Sequence, residues 1–418
     1  MKSNTSFVCG TSDEPLIYQT IGDALDYAVG QWGEKEAIVV RHQGIRWSYR
    51  QLGAAIDAFA AGLLALDLQK GDRVGIWSPN NIEWVIAQFA TARAGLILVN
   101  INPAYRKAEV IYTLNKVECN ALILAREFKS SHYVNTMLDI APAIRTSEPG
   151  KLNLSALPSL RSLIVINDEP VAGMFRFDDI AAMAPADATE KLESLACLNQ
   201  PDDAINIQFT SGTTGLPKGA TLTHFNVLNN GFFSGEAMGF TDQDRLCIPV
   251  PLYHCFGMVL GVLASVTHGA TMIFPSEAFE PLAVLEAVSE ERCTALHGVP
   301  TMFIAELEHA DFDSFDYSHL RTGIMAGAPC PIEVMRKVIS KMNMKEVTIA
   351  YGMTETSPVS FQSATDDPLE KRVATVGRIH PHVQVKIIDE HGRVVPRAVS
   401  YTHLRAHETV VRISYAVF

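Results

Sequence analysis

The fold of this chain is indicated first by the stretch Thr210-Ser211-Gly212-Thr213-Thr214-Gly215-Leu216-Pro217-Lys218-Gly219. An alternating apolar run from Ala204 to Phe209 precedes it and is typical of a half-buried strand, so the stretch begins as a loop at a strand end. Glycines let the backbone turn its N–H groups inward, hydroxyls add neutral donors, and Lys218 adds a positive charge. Together these groups predict a concave binding site for phosphate oxygens.

The same loop lacks the spacing of a P-loop. That motif needs G-x-x-x-x-G-K-[ST], whereas Gly212 and Gly215 are separated by two residues here and Gly219 follows Lys218. Turns rich in glycine and hydroxyl residues also follow strands without binding anything. A generic S-G-T-T loop would therefore leave a purely structural role equally open, and the case for phosphate binding depends on the full stretch.

The composition predicts a large globular protein. With 418 residues, 48% of them hydrophobic, the chain can bury extensive cores. A net charge of −12 argues against nucleic acid as a partner, because neutralising phosphates needs clustered Lys and Arg. Seven scattered cysteines without a C-x-x-C pair indicate reduced thiols, so we expect a cytoplasmic protein. The polar start predicts no signal peptide, and no apolar run reaches the roughly 18 residues of a transmembrane helix.

Strands and helices are predicted to alternate along most of the chain, which favours largely parallel, doubly wound sheets. Ser48 and Gln51 form a capping box that begins a helix, and Gly95 suits the left-handed position after a helix end. Residues before about 20 are predicted to be irregular, and residues 128–201 to be a variable connection with one buried strand, 163–166. The other predictions are helices at about 21–32, 48–66, 82–94, 106–115, 224–238, 281–290, 301–309 and 331–342, and strands at 36–42, 45–47, 74–77, 96–101, 121–125, 204–209, 270–274, 294–296, 346–350 and 383–388.

Three further strand ends carry side chains suited to nucleotide chemistry. The segment 249–257 is a proline-framed turn that contains His254, although a single histidine after a strand is usually structural. The segment 324–329 ends in small residues, which let a flat ring approach the backbone. The run Tyr351-Gly352-Met353-Thr354-Glu355-Thr356 offers an aromatic face, a hydroxyl and a carboxylate. Nucleotides bind at the carboxyl edge of parallel sheets, so the run 351–356 is a candidate nucleotide site.

The opening stretch resembles the phosphate-binding signature of the adenylate-forming superfamily, which includes acyl-CoA synthetases, firefly-luciferase-like enzymes and the adenylation domains of peptide synthetases. Segments 47–52, 71–74 and 94–103 resemble the N-terminal part of acyl-CoA synthetases, and the likeness extends over about residues 15–397. The resemblance implies an α/β fold, the large N-terminal domain of these enzymes. That domain has two doubly wound, mainly parallel sheets with helices and the start of a small β subdomain.

The resemblance also implies roles for the site residues. Tyr351 would stack on adenine, Thr354 would hydrogen-bond the reacting phosphate and carboxylate, and Glu355 would bind Mg²⁺. His254 would gate the acyl pocket, and the implied catalytic set is Thr354, Glu355, His254 and Lys218. The implied nucleotide-binding residues are Thr210, Ser211, Gly212, Thr213, Thr214, Gly215, Lys218, Gly327, Ala328, Pro329, Tyr351, Gly352 and Thr354.

The implied activity uses ATP, Mg²⁺ and CoA to convert a fatty carboxylate first to an acyl-adenylate and then to a thioester. Amino-acid-activating relatives carry an Asp just after the His254 position, whereas this chain has Cys255 to Met258. Apolar residues around His254 and Phe232 favour a medium- or long-chain fatty acid over acetate or an aryl acid. Two alternatives stay open: an ATP-binding module without ligase activity, and a luciferase-like or aryl-acid adenylating enzyme. The sequence does not indicate the oligomeric state, and peripheral membrane contact is compatible with it.

The resemblance ends after Arg397. Relatives continue with a G-E-L strand, a T-G-D motif and a small C-terminal domain with a catalytic lysine, and residues 398–418 match none of these. This tail resembles a translated adapter from DNA library preparation, although a divergent genuine tail is the alternative. We therefore expect residues 1–397 to form an AMP-binding (adenylation) domain, residues 398–418 to be non-native, and the small C-terminal domain to be absent. Without the lysine, ATP is expected to bind weakly and adenylation to be slow or absent.

Overall fold

A computed structural model of the chain describes residues 5–210, 217–389 and 391–397. Its strands are β1 (Phe7–Cys9), β2 (Glu36–Val40), β3 (Ile45–Ser48), β4 (Arg73–Trp77), β5 (Ile97–Asn100), β6 (Ala121–Ala125), β7 (Ser162–Ile166), β8 (Phe175–Arg176), β9 (Ala204–Thr210), β10 (Lys218–Thr223), β11 (Arg245–Cys247), β12 (Thr271–Phe274), β13 (Ala295–Leu296), β14 (Ile324–Ala326), β15 (Thr348–Gly352), β16 (Val359–Gln362), β17 (Arg378–Ile379) and β18 (Gln384–Lys386).

The α-helices are α1 (Ile21–Trp32), α2 (Tyr49–Leu63), α3 (Ile82–Arg93), α4 (Lys107–Lys116), α5 (Tyr133–Ile140), α6 (Phe177–Ile180), α7 (Ala188–Leu198), α8 (His224–Met238), α9 (Ala264–His268), α10 (Pro281–Glu290), α11 (Pro300–Leu307), α12 (Ile332–Lys341) and α13 (Leu369–Ala374). A π-helix, Phe256–Leu263, runs directly into α9. No helix among the described residues is long and apolar enough to span a membrane.

Two large sheets are mainly parallel, which confirms the predicted fold class. The seven-stranded sheet has the order β10-β9-β5-β4-β6-β7-β8, and its strands are parallel except for the β9–β10 pair. The five-stranded sheet has the order β13-β11-β12-β2-β3, in which β2 and β3 are antiparallel. A four-stranded sheet, β14-β15-β16-β17, continues from it through parallel bridges at Ala295–Thr322 and Gly298–Met325.

Local sequence signals fix several element ends as predicted. The Ser48 side chain accepts the backbone N–H of Gln51 and the Gln51 side chain accepts that of Ser48, so the predicted capping box begins α2. Gly95 follows α3 with a φ of 68°, the left-handed conformation that glycine adopts without strain. These ends set the lengths of the connections that return the chain to the sheet.

Four expectations about secondary structure were wrong. Residues 128–201 contain α5, α6, α7 and β8 in addition to the predicted strand, because apolar residues at helical spacing, such as Tyr133 and Met137, face a core. The chain start is not irregular throughout, since β1 pairs with β18. The loop expected to run to Gly219 ends earlier, because β10 begins at Lys218, and the π-helix begins at Phe256, within the turn expected at residues 249–257. The expected boundary after Arg397 and the tail 398–418 lie at or outside the limits of the described residues.

Candidate active site

The candidate residues converge at the carboxyl ends of β14 and β15. Ala326 and Ala350 are paired in adjacent parallel strands, so Gly327, just after β14, lies beside Tyr351, near the end of β15. The turn at 354–356 then contacts β10, the strand that begins with Lys218. The π-helix segment approaches the same turn, because the Cys255 Sγ lies 4.0 Å from the Thr354 Oγ1. The structure thus brings together four segments that are far apart in the sequence.

The edge formed by Gly327 and Tyr351 is open to solvent. Tyr351 is 50% exposed and packs edge-to-face on Phe361 with ring centroids 6.2 Å apart. Gly327, Ala328 and Pro329 are exposed, and Gly327 has a φ of 87°. These residues leave one aromatic face and a stretch of bare backbone accessible, as the binding of a flat ring would require.

The turn that carries Thr354 and Glu355 is held by backbone hydrogen bonds. The Met353 N–H donates to the Pro358 carbonyl at 3.0 Å, and the Ser357 N–H donates to the Thr354 carbonyl at 3.1 Å. A Cβ on Gly352 would lie 1.8 Å from the Pro358 oxygen, so this position requires glycine. Thr354 is half-buried and the Glu355 carboxylate is exposed, so the hydroxyl is fixed while the carboxylate reaches outward.

Buried amide side chains hold the loop before His254. The Asn80 side chain donates to the Val250 carbonyl at 3.0 Å and accepts the Leu252 N–H at 2.7 Å. Asn100, at the end of β5, donates to the Tyr253 carbonyl at 3.0 Å. Sequence analysis missed both asparagines as site residues, although Asn100 is the last residue of a strand, which is a signal of the same kind as those it used.

The hydrogen bonding of His254 specifies its tautomer. Its Nδ1 accepts the Phe256 N–H at 3.1 Å, so in the neutral ring the proton lies on Nε2. The ring has an exposed face, yet the surrounding protein desolvates it and lowers its pKa. His254 is therefore a neutral hydrogen-bond donor at neutral pH, not a cation.

The ends of the opening stretch are described, but its central residues are not. Thr210 and Lys218 form the last pair of the β9–β10 hairpin, and the Thr210 hydroxyl donates to the Lys218 carbonyl at 3.4 Å. Lys218 is exposed near the Thr354 turn. Residues 211–216, which include the predicted phosphate ligands Ser211 to Gly215, lie outside the described residues, so their role stays a prediction.

A cavity of about 460 Å³ is lined in part by the loop before His254. Tyr253 lines it, so the cavity and the candidate site share one loop. Its charged lining residues are Arg106, Lys129 and Glu277. Sequence analysis did not identify this cavity, because its walls come from five separate loops.

Comparison with known proteins gives consistent matches. A family model described as AMP-binding enzyme matches residues 25–400. The acyl-CoA synthetase-like protein YngI of Bacillus subtilis is 46% identical over 374 residues, which cover 90% of this chain and 68% of YngI. The mitochondrial medium-chain acyl-CoA ligase ACSF2 of Danio rerio is 44% identical over 395 residues, which cover 94% of this chain and 65% of that protein. The chain thus spans about two thirds of the length of these curated relatives.

The fold matches solved structures closely. The crystal structure of the anthranilate CoA ligase AuaEII in complex with anthranoyl-AMP superposes with a TM-score of 0.79. The match covers 92% of this chain and 69% of that one, and the sequences are 24% identical. At this level of identity the comparison shows a shared fold.

Proposed function

Because this chain belongs to the AMP-binding enzyme family, we propose that it forms the nucleotide and acyl sites of a fatty-acid–CoA ligase. The main observation that supports this proposal is the convergence of His254, Cys255 and Thr354 beside the solvent-exposed edge at Tyr351. A carboxylate oxygen of the fatty acid attacks the α-phosphorus of ATP, the α–β phosphoanhydride bond breaks, and pyrophosphate leaves. The CoA thiolate then attacks the acyl carbonyl, and AMP leaves.

The residues of the chain act in the first step mainly by position and charge. Thr354 donates a hydrogen bond where the carboxylate meets the α-phosphate, and Lys218 offsets the phosphate charge. His254 contributes its Nε2–H as a neutral donor beside the carboxylate, since its Nδ1 is already occupied by Phe256. No proton transfer is needed when an ionised carboxylate displaces pyrophosphate.

Glu355 fits a magnesium ion that is shared with substrate phosphates. Magnesium is usually held by one or two carboxylates together with phosphates and water. No three His, Cys, Asp or Glu side chains among residues 5–210, 217–389 and 391–397 cluster closely enough for an all-protein metal site. A single exposed carboxylate at the turn is therefore the donor set expected. When bound, the ion offsets the charge of the triphosphate.

The cavity beside Tyr253 suits the CoA co-substrate. Of its three charged lining residues, Arg106 and Lys129 could pair with phosphates of CoA while Glu277 is acidic, and its volume of about 460 Å³ is in the range of ligand pockets. The cavity is lined by Tyr253, next to His254 of the candidate adenylation site. A thiol reaching past the His254 loop would approach the acyl carbonyl.

A medium-chain fatty acid is the proposed substrate. The residues after His254 are Cys255, Phe256, Gly257 and Met258, and Phe256 to Leu263 are all buried and uncharged. No carboxylate is present there to pair with the ammonium group of an amino acid. The name of the ACSF2 relative, a medium-chain acyl-CoA ligase, points to the same substrate class. A cytoplasmic location stays a prediction, because that relative is named as mitochondrial.

Replacing Glu355 with glutamine is expected to remove most of the magnesium-dependent part of ATP binding. The substitution keeps the side-chain shape but removes the negative charge that a hard cation requires. Calorimetry with and without Mg²⁺ should show that the ion improves ATP affinity about tenfold or more in the unmodified chain and little in the variant. Glu308→Gln, an exposed change elsewhere, is the control. An unchanged magnesium effect in Glu355→Gln would assign the metal to another residue.

Acid-dependent ATP–pyrophosphate exchange tests the proposed activity. Octanoate should stimulate exchange above the rate with acetate or leucine. ATP binding without exchange for any acid would instead indicate a nucleotide-binding module. Exchange accompanied by oxygen consumption would indicate a luciferase-like oxygenase.

A further inference from the structure

One buried asparagine on α8 makes a double hydrogen bond to the segment that follows the Thr354 turn. The Asn230 Nδ2 donates to the Val359 carbonyl at 2.8 Å, and the Asn230 Oδ1 accepts the Val359 N–H at 3.0 Å. Both backbone groups of one residue are thus bound by one amide, and Asn230 is 8% exposed. The amide orientation is specified, because an amide flipped by 180° would place oxygen against oxygen.

Val359 connects directly to the residues of the candidate site. It is paired with Gly352 across β15 and β16. Its neighbour Pro358 accepts hydrogen bonds from the Met353 N–H at 3.0 Å and from the Thr356 hydroxyl at 2.6 Å. A shift of Val359 therefore moves both ends of the turn that carries Thr354 and Glu355.

The helix that carries Asn230 also packs on the opposite wall of the site. α8 contacts the π-helix that follows His254, and a Cβ on Gly231 would lie 2.9 Å from the Leu263 Cβ. Consecutive residues of α8 thus contact the segment after the Thr354 turn, through Asn230, and the end of the π-helix that follows His254, through Gly231. This helix therefore links the two elements that carry the candidate site.

We infer that Asn230 is a positioning residue that holds the Thr354–Glu355 turn at its working distance from the His254 loop. This inference rests on the proposed function. Asn230 lies behind the turn and acts through Val359, so it is not itself placed in contact with substrate.

The chain provides a matched control one residue away. The Asn229 side chain accepts the Ile17 N–H at 2.8 Å and donates to the Ile17 carbonyl at 2.9 Å, so it makes the same double hydrogen bond from the same helix. Ile17 belongs to the N-terminal segment and to none of the candidate site loops. Asn229→Asp and Asn230→Asp therefore make the same chemical change at similar burial, and only the second acts on the turn.

The test compares octanoate-dependent ATP–pyrophosphate exchange of the two variants, with rates divided by the folded fraction at a temperature below both melting transitions. In Asn230→Asp the new carboxylate oxygen faces the Val359 carbonyl, and displacement of the turn should lower kcat about 30- to 100-fold with a small change in KM. Asn229→Asp should change kcat less than about threefold. Equal kcat values in the two variants would overturn the inference, since a merely structural role predicts loss of stability in both.

A second readout keeps the inference testable if exchange is absent. If the unmodified chain shows neither octanoate-dependent exchange nor magnesium-dependent ATP binding, the proposed function fails. Hydrogen exchange measured by mass spectrometry then decides the positioning claim. Asn230→Asp should speed amide exchange in residues 351–359 at least about tenfold, whereas Asn229→Asp should speed it near residue 17. Unchanged exchange in residues 351–359 would overturn the inference independently of activity.

Discussion

Replacing Glu306 with glutamine is expected to stabilise the protein strongly above neutral pH and to have little effect in mild acid. Glu306 lies in α11 and is fully buried, and neither of its carboxyl oxygens has a hydrogen-bond partner among the described residues. Burial raises its pKa from 4.5 to about 8. The groups near it include Cys247 and Tyr317, whose pKa values the Glu306 charge raises further.

Proton linkage gives the direction in which the free energy of unfolding changes with pH. The unfolded chain releases the Glu306 proton near its ordinary pKa, while the folded chain keeps it until about 8. Between these values the unfolded state binds fewer protons, so the free energy of unfolding falls by about 1.4 kcal/mol per pH unit as pH rises. The protein is most stable at pH values below the pKa that Glu306 has in the unfolded chain. Once the pH exceeds the pKa of Glu306 in the folded chain, the free energy of unfolding has fallen by several kcal/mol.

Thermal unfolding of Glu306→Gln and the unmodified protein at about pH 5 and pH 8.5 measures this effect. The variant should melt about 5 °C or more above the unmodified protein at the higher pH and close to it at the lower. Glu308→Gln, an exposed change just after the same helix, should leave both melting temperatures nearly unchanged. If the melting temperatures of Glu306→Gln and the unmodified protein differed by the same amount at both pH values, Glu306 would have a hydrogen-bond partner or an ordinary pKa.

Replacing Arg372 with alanine should destabilise the fold by about 3–5 kcal/mol. Arg372 is 5% exposed, and its guanidinium donates to four backbone carbonyls, those of Asp367 at 2.7 Å, Lys345 at 3.0 Å, Val347 at 2.8 Å and Thr365. It joins α13 to the segment that enters β15, the strand that contains Tyr351. Alanine would leave these acceptors unpaired in a buried position.

Arg372→Lys should recover little of that stability, because a single ammonium cannot reproduce the planar set of five donors. The control is Arg336→Ala, which removes an exposed ion pair with Glu333 and should cost less than about 1 kcal/mol. Urea unfolding of the three variants compares them directly. Similar losses for Arg372→Ala and Arg336→Ala would contradict the bonding described for Arg372.

The sequence was most informative where structure depends on neighbouring residues. The Ser48–Gln51 capping box and the left-handed Gly95 are local devices, so their residue types alone predicted where α2 begins and α3 ends. The motif at 351–355 was also placed correctly at a strand end, because β-strand alternation and glycine mark that end.

Features that depend on tertiary contact were not predictable in this way. The π-helix is apolar on every side, so its sequence has no helical stripe, and its form depends on the surrounding core. The Asn230–Val359 contact joins residues 129 positions apart, and asparagine is also common in helix caps and turns, so its residue type does not indicate this contact. The partner of a buried amide is decided by the packing of whole elements, which residue types do not specify.

Binding of a stable acyl-adenylate mimic tests the central claim most directly, because it needs the nucleotide and acyl sites but no catalytic turnover. In 5′-O-(N-octanoylsulfamoyl)adenosine a sulfamate replaces the reacting phosphate and joins the acyl chain to adenosine. Calorimetry should show that this compound binds at least about 100-fold more tightly than AMP or octanoate alone, and more tightly than its acetyl and benzoyl counterparts. Affinity no greater than that of AMP would contradict the assignment of a fatty-acyl-adenylate site.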